Sequence, residues 1–354
     1  VVHLARFPYG ERIFIKRIPI DSVSVRDMRA WQITGVGAPT DVLHMVELPV
    51  PDPGPGEVLL LVHAAGVGMP DAFMCRSTYA FSPPMPFVPG QEMCGTVVAV
   101  GEGATARVGD RLMGVTSFYD GRGGLAEYTI ANEANLFRVP EEMSSSDAAT
   151  FRIGYSTALI GLQRRGRLQA GETVVVLGAS GGSGSTAVQL AVALGARVLA
   201  VVSTPEKAAL SMALGASAVI DRSLVDVASA VNEMTDGRSA DLVYDPVGGD
   251  LANATLKCLA PGGRLLAVGF ASGEWANPPI AELVRRNVSL VGVYAGGIGR
   301  TENESDHETL LALYSEGKLQ SFVQEVSFDH GADAVIAVEE GTVVGKSAVI
   351  VSSE

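Results

Sequence analysis

The stretch Val174-Val175-Val176-Leu177-Gly178-Ala179-Ser180-Gly181-Gly182-Ser183-Gly184 decides how this chain is read. Its apolar run is short enough for a buried strand, and the glycines break it. Ser185-Thr186-Ala187-Val188-Gln189-Leu190-Ala191 then resumes with helix-favouring residues. Strand, tight turn and helix in that order leave the first-turn N–H groups of the helix unpaired, a ready cradle for phosphate. A glycine cluster alone also closes ordinary loops. Here Gly195-Ala196 ends the helix and Arg197-Val198-Leu199-Ala200-Val201-Val202 supplies a second apolar strand. The unit therefore has the roughly 30-residue βαβ span of a dinucleotide-binding half.

The same alternation extends from about residue 151 to 293. Further strands are expected at 218–220, 242–244, 264–268 and 289–293, with helices such as 205–214 between them, opened by Pro205 at a first-turn position. That rhythm predicts a parallel doubly wound sheet. On the N-terminal side the pattern is short strands and breakers: Pro49-Val50-Pro51-Asp52-Pro53-Gly54-Pro55-Gly56 precedes the strand 57–62, and 95–101 reads as another. The alternation stops after Gly296, and Val343-Val344 and Ala348-Val349-Ile350-Val351 return to strand character. The expected organisation is an extension over 1–27, a β-rich barrel from 28–150 and 296–354, and a dinucleotide domain over 151–295 inserted between its two pieces. A cleft then lies at the carboxyl ends of the parallel strands.

Composition narrows the partners. A formal net charge of −13 opposes general affinity for nucleic acid or anionic membranes. No apolar run reaches the roughly 18 residues that suggest a membrane span. Cys75, Cys94 and Cys258 lie far apart and form no paired framework, which suits buried thiols in a reducing cytoplasm. The first 27 residues hold five Lys/Arg and three Asp/Glu without a signal-peptide core, and read as an appendage or, alternatively, a basic organelle-targeting segment.

In order, Ala65-Gly66-Val67-Gly68-Met69-Pro70-Asp71, Val88-Pro89-Gly90-Gln91-Glu92, Val108-Gly109-Asp110-Arg111, Gly124-Leu125-Ala126-Glu127-Tyr128, the phosphate loop, Ser203-Thr204-Pro205-Glu206-Lys207-Ala208, Tyr244-Asp245-Pro246-Val247-Gly248-Gly249-Asp250 and Leu259-Ala260-Pro261-Gly262-Gly263-Arg264 follow one another. With these the chain resembles the medium-chain dehydrogenase/reductases, in their zinc-independent quinone oxidoreductase branch. The resemblance covers nearly everything after Met28. It implies a doubly wound Rossmann domain inserted into a GroES-like β-barrel catalytic domain, with NADPH reducing a quinone or other conjugated carbonyl in the cleft between them. It also implies a homodimer or homotetramer paired through the strand near 289–293. Zinc enzymes of the superfamily carry Cys where this chain has Gly68, and Gly-His-Glu where it has Gly90-Gln91-Glu92. Without those ligands or a four-cysteine cluster no metal is expected, and His63 reads as a packing or hydrogen-bonding residue. Quinone reductases often carry Asn at Gly68, so a polar contact is lost there.

The residues assign further roles. Dinucleotide domains that take NAD place Asp or Glu about 20 residues after the glycine turn, on the ribose 2′-OH. Here that strand ends in Ser203-Thr204. The missing carboxylate, with Lys207 and Arg222 nearby, favours NADPH; a lone lysine is ordinarily a solvated helix residue, but the motif position of Lys207 assigns it to the phosphate. Ala179, Ser180, Gly181, Gly182 and Gly184 are expected at the phosphates. On the resemblance, Thr157 sits near the nicotinamide end, Val247 and Gly248 line the cofactor path, and Gly269, Phe270 and Ala271 reach the carboxamide, with Phe270 alternatively core. Tyr79 stands where related enoyl reductases place a substrate-facing tyrosine. Its phenol, with an ordinary pKa of about 10, serves as hydrogen-bond or proton donor, or as an aromatic lid. None of the five histidines adjoins a nucleophile motif. Two competing functions are an enoyl-thioester reductase, whose acidic-carrier substrate finds little cationic support here, and a non-catalytic NADPH-binding protein.

Overall fold

The computed structural model describes residues 27–296 and 298–352. The expected extension over 1–27 lies outside the described residues apart from Asp27, which opens the first strand. Strand β1 (Asp27–Ile33), helix α1 (Pro39–Val42) and strand β2 (Leu43–Pro49) form an antiparallel ribbon with Ala30 opposite Val46. Next come β3 (Glu57–Val67), α2 (Met69–Cys75), β4 (Glu92–Val100), β5 (Arg111–Val115), β6 (Tyr128–Asn132) and β7 (Leu136–Arg138). β3 is the spine of this sheet, flanked by β4 and β6, and most of its side chains are buried. Two register shifts along the β3–β4 ladder, at Leu59/Leu60 and Val62/Ala64, curve the sheet as bulges do.

Helix α3 (Ser145–Leu159) joins the two halves of the molecule. Ser144 caps it by accepting from the Asp147 N–H at 3.1 Å, and a π-helical turn, Ile160–Arg165, continues it. It is buried on nearly all sides, packing on β3, β4 and β5 as well as on the helix after the phosphate loop. One apolar cluster consequently runs from Ala64, Cys94 and Met113 through Phe151 and Tyr155 to Val174 and Val176.

Beyond it stand β8 (Thr173–Leu177), α4 (Gly182–Ala193), β9 (Arg197–Val202), α5 (Pro205–Ala213), β10 (Ala218–Asp221), α6 (Val227–Met234), β11 (Ala240–Asp245), α7 (Gly249–Ala254), β12 (Leu259–Ala267), α8 (Ile280–Arg286) and β13 (Ser289–Gly292). The six strands are parallel in the order β10-β9-β8-β11-β12-β13. This is the doubly wound arrangement, and its order reverses between β8 and β11, where such sheets open a binding crevice. Val174, Val175 and Val176 are fully buried because helices cover both faces, which is why the strand reads as unbroken apolar sequence. β12 starts earlier than its expected 264–268: Leu259 pairs with Ala240 before a register shift takes up Pro261-Gly262-Gly263. Finally α9 (Arg300–Ser315), β14 (Val323–Ser327), α10 (Gly331–Glu339) and β15 (Lys346–Ile350) return the chain to the first sheet, where β15 lies antiparallel on β3 with Ser347 opposite Val67.

Candidate active site

The phosphate loop begins at Gly178, and the first helical residue of α4 is Gly182. The turn is too tight for a side chain at Gly184, where a Cβ would meet the Gly178 carbonyl oxygen at 2.1 Å. Its members play different parts. Ala179 is fully buried and its N–H donates to Val201 O at 3.1 Å, while the Gly181 N–H returns to Gly178 O at 3.0 Å. Those two amides are committed inside the protein, so the groups α4 offers an anion are its first-turn N–H groups from Gly182 onward. Ser180 is buried and its carbonyl accepts from Gly345, tying the loop to the approach of β15.

That approach brings a residue the sequence reading missed. Lys346 opens β15, and its mostly buried side chain runs beside the loop, its Cδ 3.8 Å from where a Gly182 Cβ would stand. Its Nζ lies 3.2 Å from the Glu92 carboxylate, which also accepts from the Ile153 N–H at 2.9 Å. The stem of Lys346 thus flanks the loop while its ammonium is paired with Glu92. The available signal was a lone lysine opening an apolar terminal strand. Ser183 was also passed over: its Oγ is 3.1 Å from the hydroxyl of buried Tyr244, linking α4 to β11.

At the far end of the loop, Ser203 follows β9 and Thr204 caps α5 by accepting from the Lys207 N–H at 3.3 Å. The Arg222 N–H donates to Val202 O at 3.0 Å, so Arg222 stands beside the end of β9 with its side chain in solvent. Lys207 Nζ donates to Gly341 O at 2.7 Å, joining α5 to the turn after α10. Asp221, the nearest strand-end carboxylate, is turned onto Ser223, accepting from its N–H at 2.9 Å and its hydroxyl at 2.6 Å.

Across the switch point, Asp245 ends β11 fully buried. One carboxylate oxygen accepts from the Val247 and Gly248 N–H groups at 2.8 and 2.7 Å, and the other has no protein partner. Burial pushes its carboxyl up to about 6. Gly248, at φ 75°, packs where a Cβ would strike Glu274 O at 2.0 Å, and Val247 approaches Gly178. Ala271 is exposed, its N–H bound to Pro246 O at 3.1 Å, beside Gly269 in the same turn. Phe270 is half-buried, stacks on Phe73 of α2 at 4.5 Å and meets the tilted ring of Trp275 at 4.7 Å, so it bridges the two halves of the molecule. Thr157 is half-buried on α3, one turn before Gly161, which lies against Tyr244 and Val293.

Tyr79 stands on the opposite wall, in the loop after α2. Its ring meets Phe81 edge-on at 5.7 Å; Phe81 in turn stacks on Tyr294, just after β13, at 5.4 Å and meets Tyr119 at 6.0 Å. The Tyr119 and Tyr294 hydroxyls are 3.4 Å apart. Four aromatic side chains from both halves thereby converge at the carboxyl end of the parallel sheet. Burial raises the Tyr79 phenol above its ordinary value, despite the adjacent Gln91 amide, so it remains a proton-bearing donor at neutral pH. Below it, buried Asp71 accepts from the Gly68 and Gly90 N–H groups at 2.9 and 2.8 Å, and desolvation lifts its carboxyl to about 6.

Two family models match: residues 54–141 fit the alcohol dehydrogenase GroES-like domain and residues 182–316 the zinc-binding dehydrogenase domain. The chain is 37% identical over 287 residues to a quinone oxidoreductase-like protein 2 homolog of Nematostella vectensis, covering 80% of this chain and 77% of that one. It belongs to the medium-chain dehydrogenase/reductases, in the zinc-independent quinone oxidoreductase branch. Solved members of that superfamily share its shape. The quinone oxidoreductase of Pseudomonas syringae pv. Tomato DC3000 superposes with a TM-score of 0.85 at 31% identity, over 92% of this chain and all of the other. A mycobacterial protein solved with NADPH does so with the same TM-score, identity and coverage. This medium-chain reductase is an oxidoreductase with a nicotinamide-binding fold. The donor set does not suit the zinc of its family model's description. Gly68 has no ligating side chain and Gln91 offers an amide, and among the described residues no three His, Cys, Asp or Glu side chains gather to hold a metal ion. His63 is engaged elsewhere, its ring nitrogens 3.1 Å from Ser352 Oγ and 2.8 Å from Thr96 Oγ1.

Proposed function

We propose that this chain reduces quinones or other conjugated carbonyls by hydride transfer from NADPH, without a metal. The aromatic cluster of Tyr79, Phe81, Tyr119 and Tyr294 at the carboxyl end of the parallel sheet carries the reading. Flat, electron-poor rings stack well on such side chains, and Tyr294 follows β13 at the carboxyl end of the sheet, the end at which such folds bind their cofactor. NADPH, when bound, supplies the hydride. The α4 first turn and Lys346 would hold its pyrophosphate, and Val247, Gly248 and the 269–271 turn would flank its nicotinamide end. The 2′-phosphate would meet Ser203, Arg222 and Lys207, the last sharing its Nζ with Gly341 O, at a β9 end that carries no carboxylate to repel it. The mycobacterial relative solved with NADPH supports the same choice.

Oxidation of NADPH, followed in parallel with a naphthoquinone, a short aliphatic enone and an enoyl-CoA, tests the assignment. A specificity constant for the quinone or enone at least about tenfold above that for the thioester, roughly 1.4 kcal/mol in transition-state binding, is expected. Preference for enoyl-CoA would make the chain a thioester reductase, and no turnover with any acceptor despite tight NADPH binding would remove the enzymatic reading. Equal rates with NADH would overturn the cofactor choice.

A further inference from the structure

Gln91 is 94% buried, and its Nε2 has no partner within 3.5 Å; the polar group it faces is the Tyr79 hydroxyl. The backbone around it is firmly held. The Gln91 carbonyl accepts from the Thr116 N–H at 3.0 Å and from its hydroxyl at 3.3 Å; the Gly90 N–H donates to Asp71 and the Gly90 carbonyl accepts from Gly124 at 2.7 Å. With its backbone held and its side chain buried, the amide is screened from water, and leaving a buried N–H unpaired costs about 1–3 kcal/mol. Such orphan donors call for an explanation. Here the amide lies against the Tyr79 phenol, at the foot of the aromatic cluster.

We infer that Gln91 is a second hydrogen-bond donor of the active site, pairing with Tyr79 to hold the oxygen of the acceptor's conjugated carbonyl. The inference rests on the proposed reduction of such acceptors. In that reaction the electron-poor carbon takes the hydride and forms a new C–H bond. The conjugated π electrons shift onto the carbonyl oxygen, and the resulting enolate or hydroquinone anion takes one proton, relayed by Tyr79 or water. Nε2 and the Tyr79 hydroxyl are placed to donate to that oxygen while it carries negative charge, when a fixed dipole in a dry site is worth most.

Binding of 4-nitrophenolate to the NADP⁺-loaded protein, read from its absorbance, tests the donor without turnover. The wild type is expected to bind it about tenfold or more tightly than 4-nitroanisole, which has the same ring and no oxyanion, as suits a hydrogen bond to a charged group. Gln91→Leu is expected to lose most of that preference, and Gln91→Glu, equal in shape but an acceptor when ionised, to lose all of it. Both should bind NADPH within about twofold of wild type, and kcat with the preferred acceptor should fall by about 10²-fold. Equal wild-type affinity for the phenolate and the anisole overturns the inference. So does a drop in kcat with phenolate affinity untouched, which marks a merely structural glutamine. A wild type that binds phenolate through Gln91 but reduces no acceptor leaves the donor standing and refutes the proposed function instead.

Discussion

At Asp245 a carboxylate is buried with one oxygen bound by two backbone N–H groups and the other unpartnered. Its folded-state value of about 6 lies above the ordinary 3.8. Between those values the folded chain holds a proton that the unfolded chain has released. This group therefore lowers stability as pH rises from about 4 to 6 and keeps it lowered above that, by at most about 3 kcal/mol. Asp245→Asn keeps the oxygen that the Val247 and Gly248 amides need and removes the charge. Thermal melts should show the variant gaining on wild type between pH 4 and 7 and holding a constant advantage beyond; a pH-independent difference would refute this. Tyr79 separates by the same kind of subtraction. Tyr79→Phe preserves the ring contact with Phe81 and deletes the donor, so a donor role predicts a fall in kcat of about 10²-fold with NADPH affinity unchanged. Full turnover on enones would reduce Tyr79 to packing. Neither the raised carboxyl nor the orphan amide of Gln91 could be read from sequence, because both are properties of what surrounds them in space.

At the scale of elements, the loop from β8 into α4 depends on backbone approach more than on side chains. A Cβ at Gly184 would stand 2.1 Å from the Gly178 oxygen and 2.8 Å from Ala179 Cα, whereas one at Gly182 meets only Lys346 Cδ at an ordinary 3.8 Å. Gly184→Ala should therefore displace the first turn and weaken NADPH binding by more than about tenfold, while Gly182→Ala leaves the fold intact; fluorescence titration of the reduced nicotinamide, with melts alongside, checks the pair. Equal affinities would show that the turn yields without consequence. This motif, and the six parallel strands, were legible because buried parallel strands write themselves as continuous apolar runs and glycines mark the turns. Helix α3 was not, since an element packed on all sides carries no apolar stripe, and its buried Arg152, 4.2 Å above the Phe137 ring and 3.3 Å from His307 Nδ1, has no sequence signature at all. The cleft's aromatic cluster was half legible: Tyr79 stood in a motif, but Phe81, Tyr119 and Tyr294 come together only through tertiary folding.

For the molecule as a whole, the parallel sheet ends at β13, which pairs with β12 on one side and leaves its other edge open among the described residues. Arg165 takes the Gly292 carbonyl at 3.0 Å, so the Ser289–Val291 stretch is the accessible part. Leu290 on this strand is 38% exposed, and Ile280 and Val284 of the preceding helix α8 are 71% exposed each. An open strand edge beside apolar surface is a template for pairing, and soluble proteins usually blunt it with charge or cover it. A second copy would offer the matching edge about a twofold axis and join the two sheets into one. The expected state is a homodimer, with any tetramer built by a further contact. The double substitution Val284→Lys with Leu290→Lys places like charges on the seam without touching the cleft. Light scattering after size exclusion should give dimer for wild type and monomer for the variant, with NADPH affinity retained. A monomeric wild type, or a variant still dimeric at micromolar concentration, would rule out this edge as the interface.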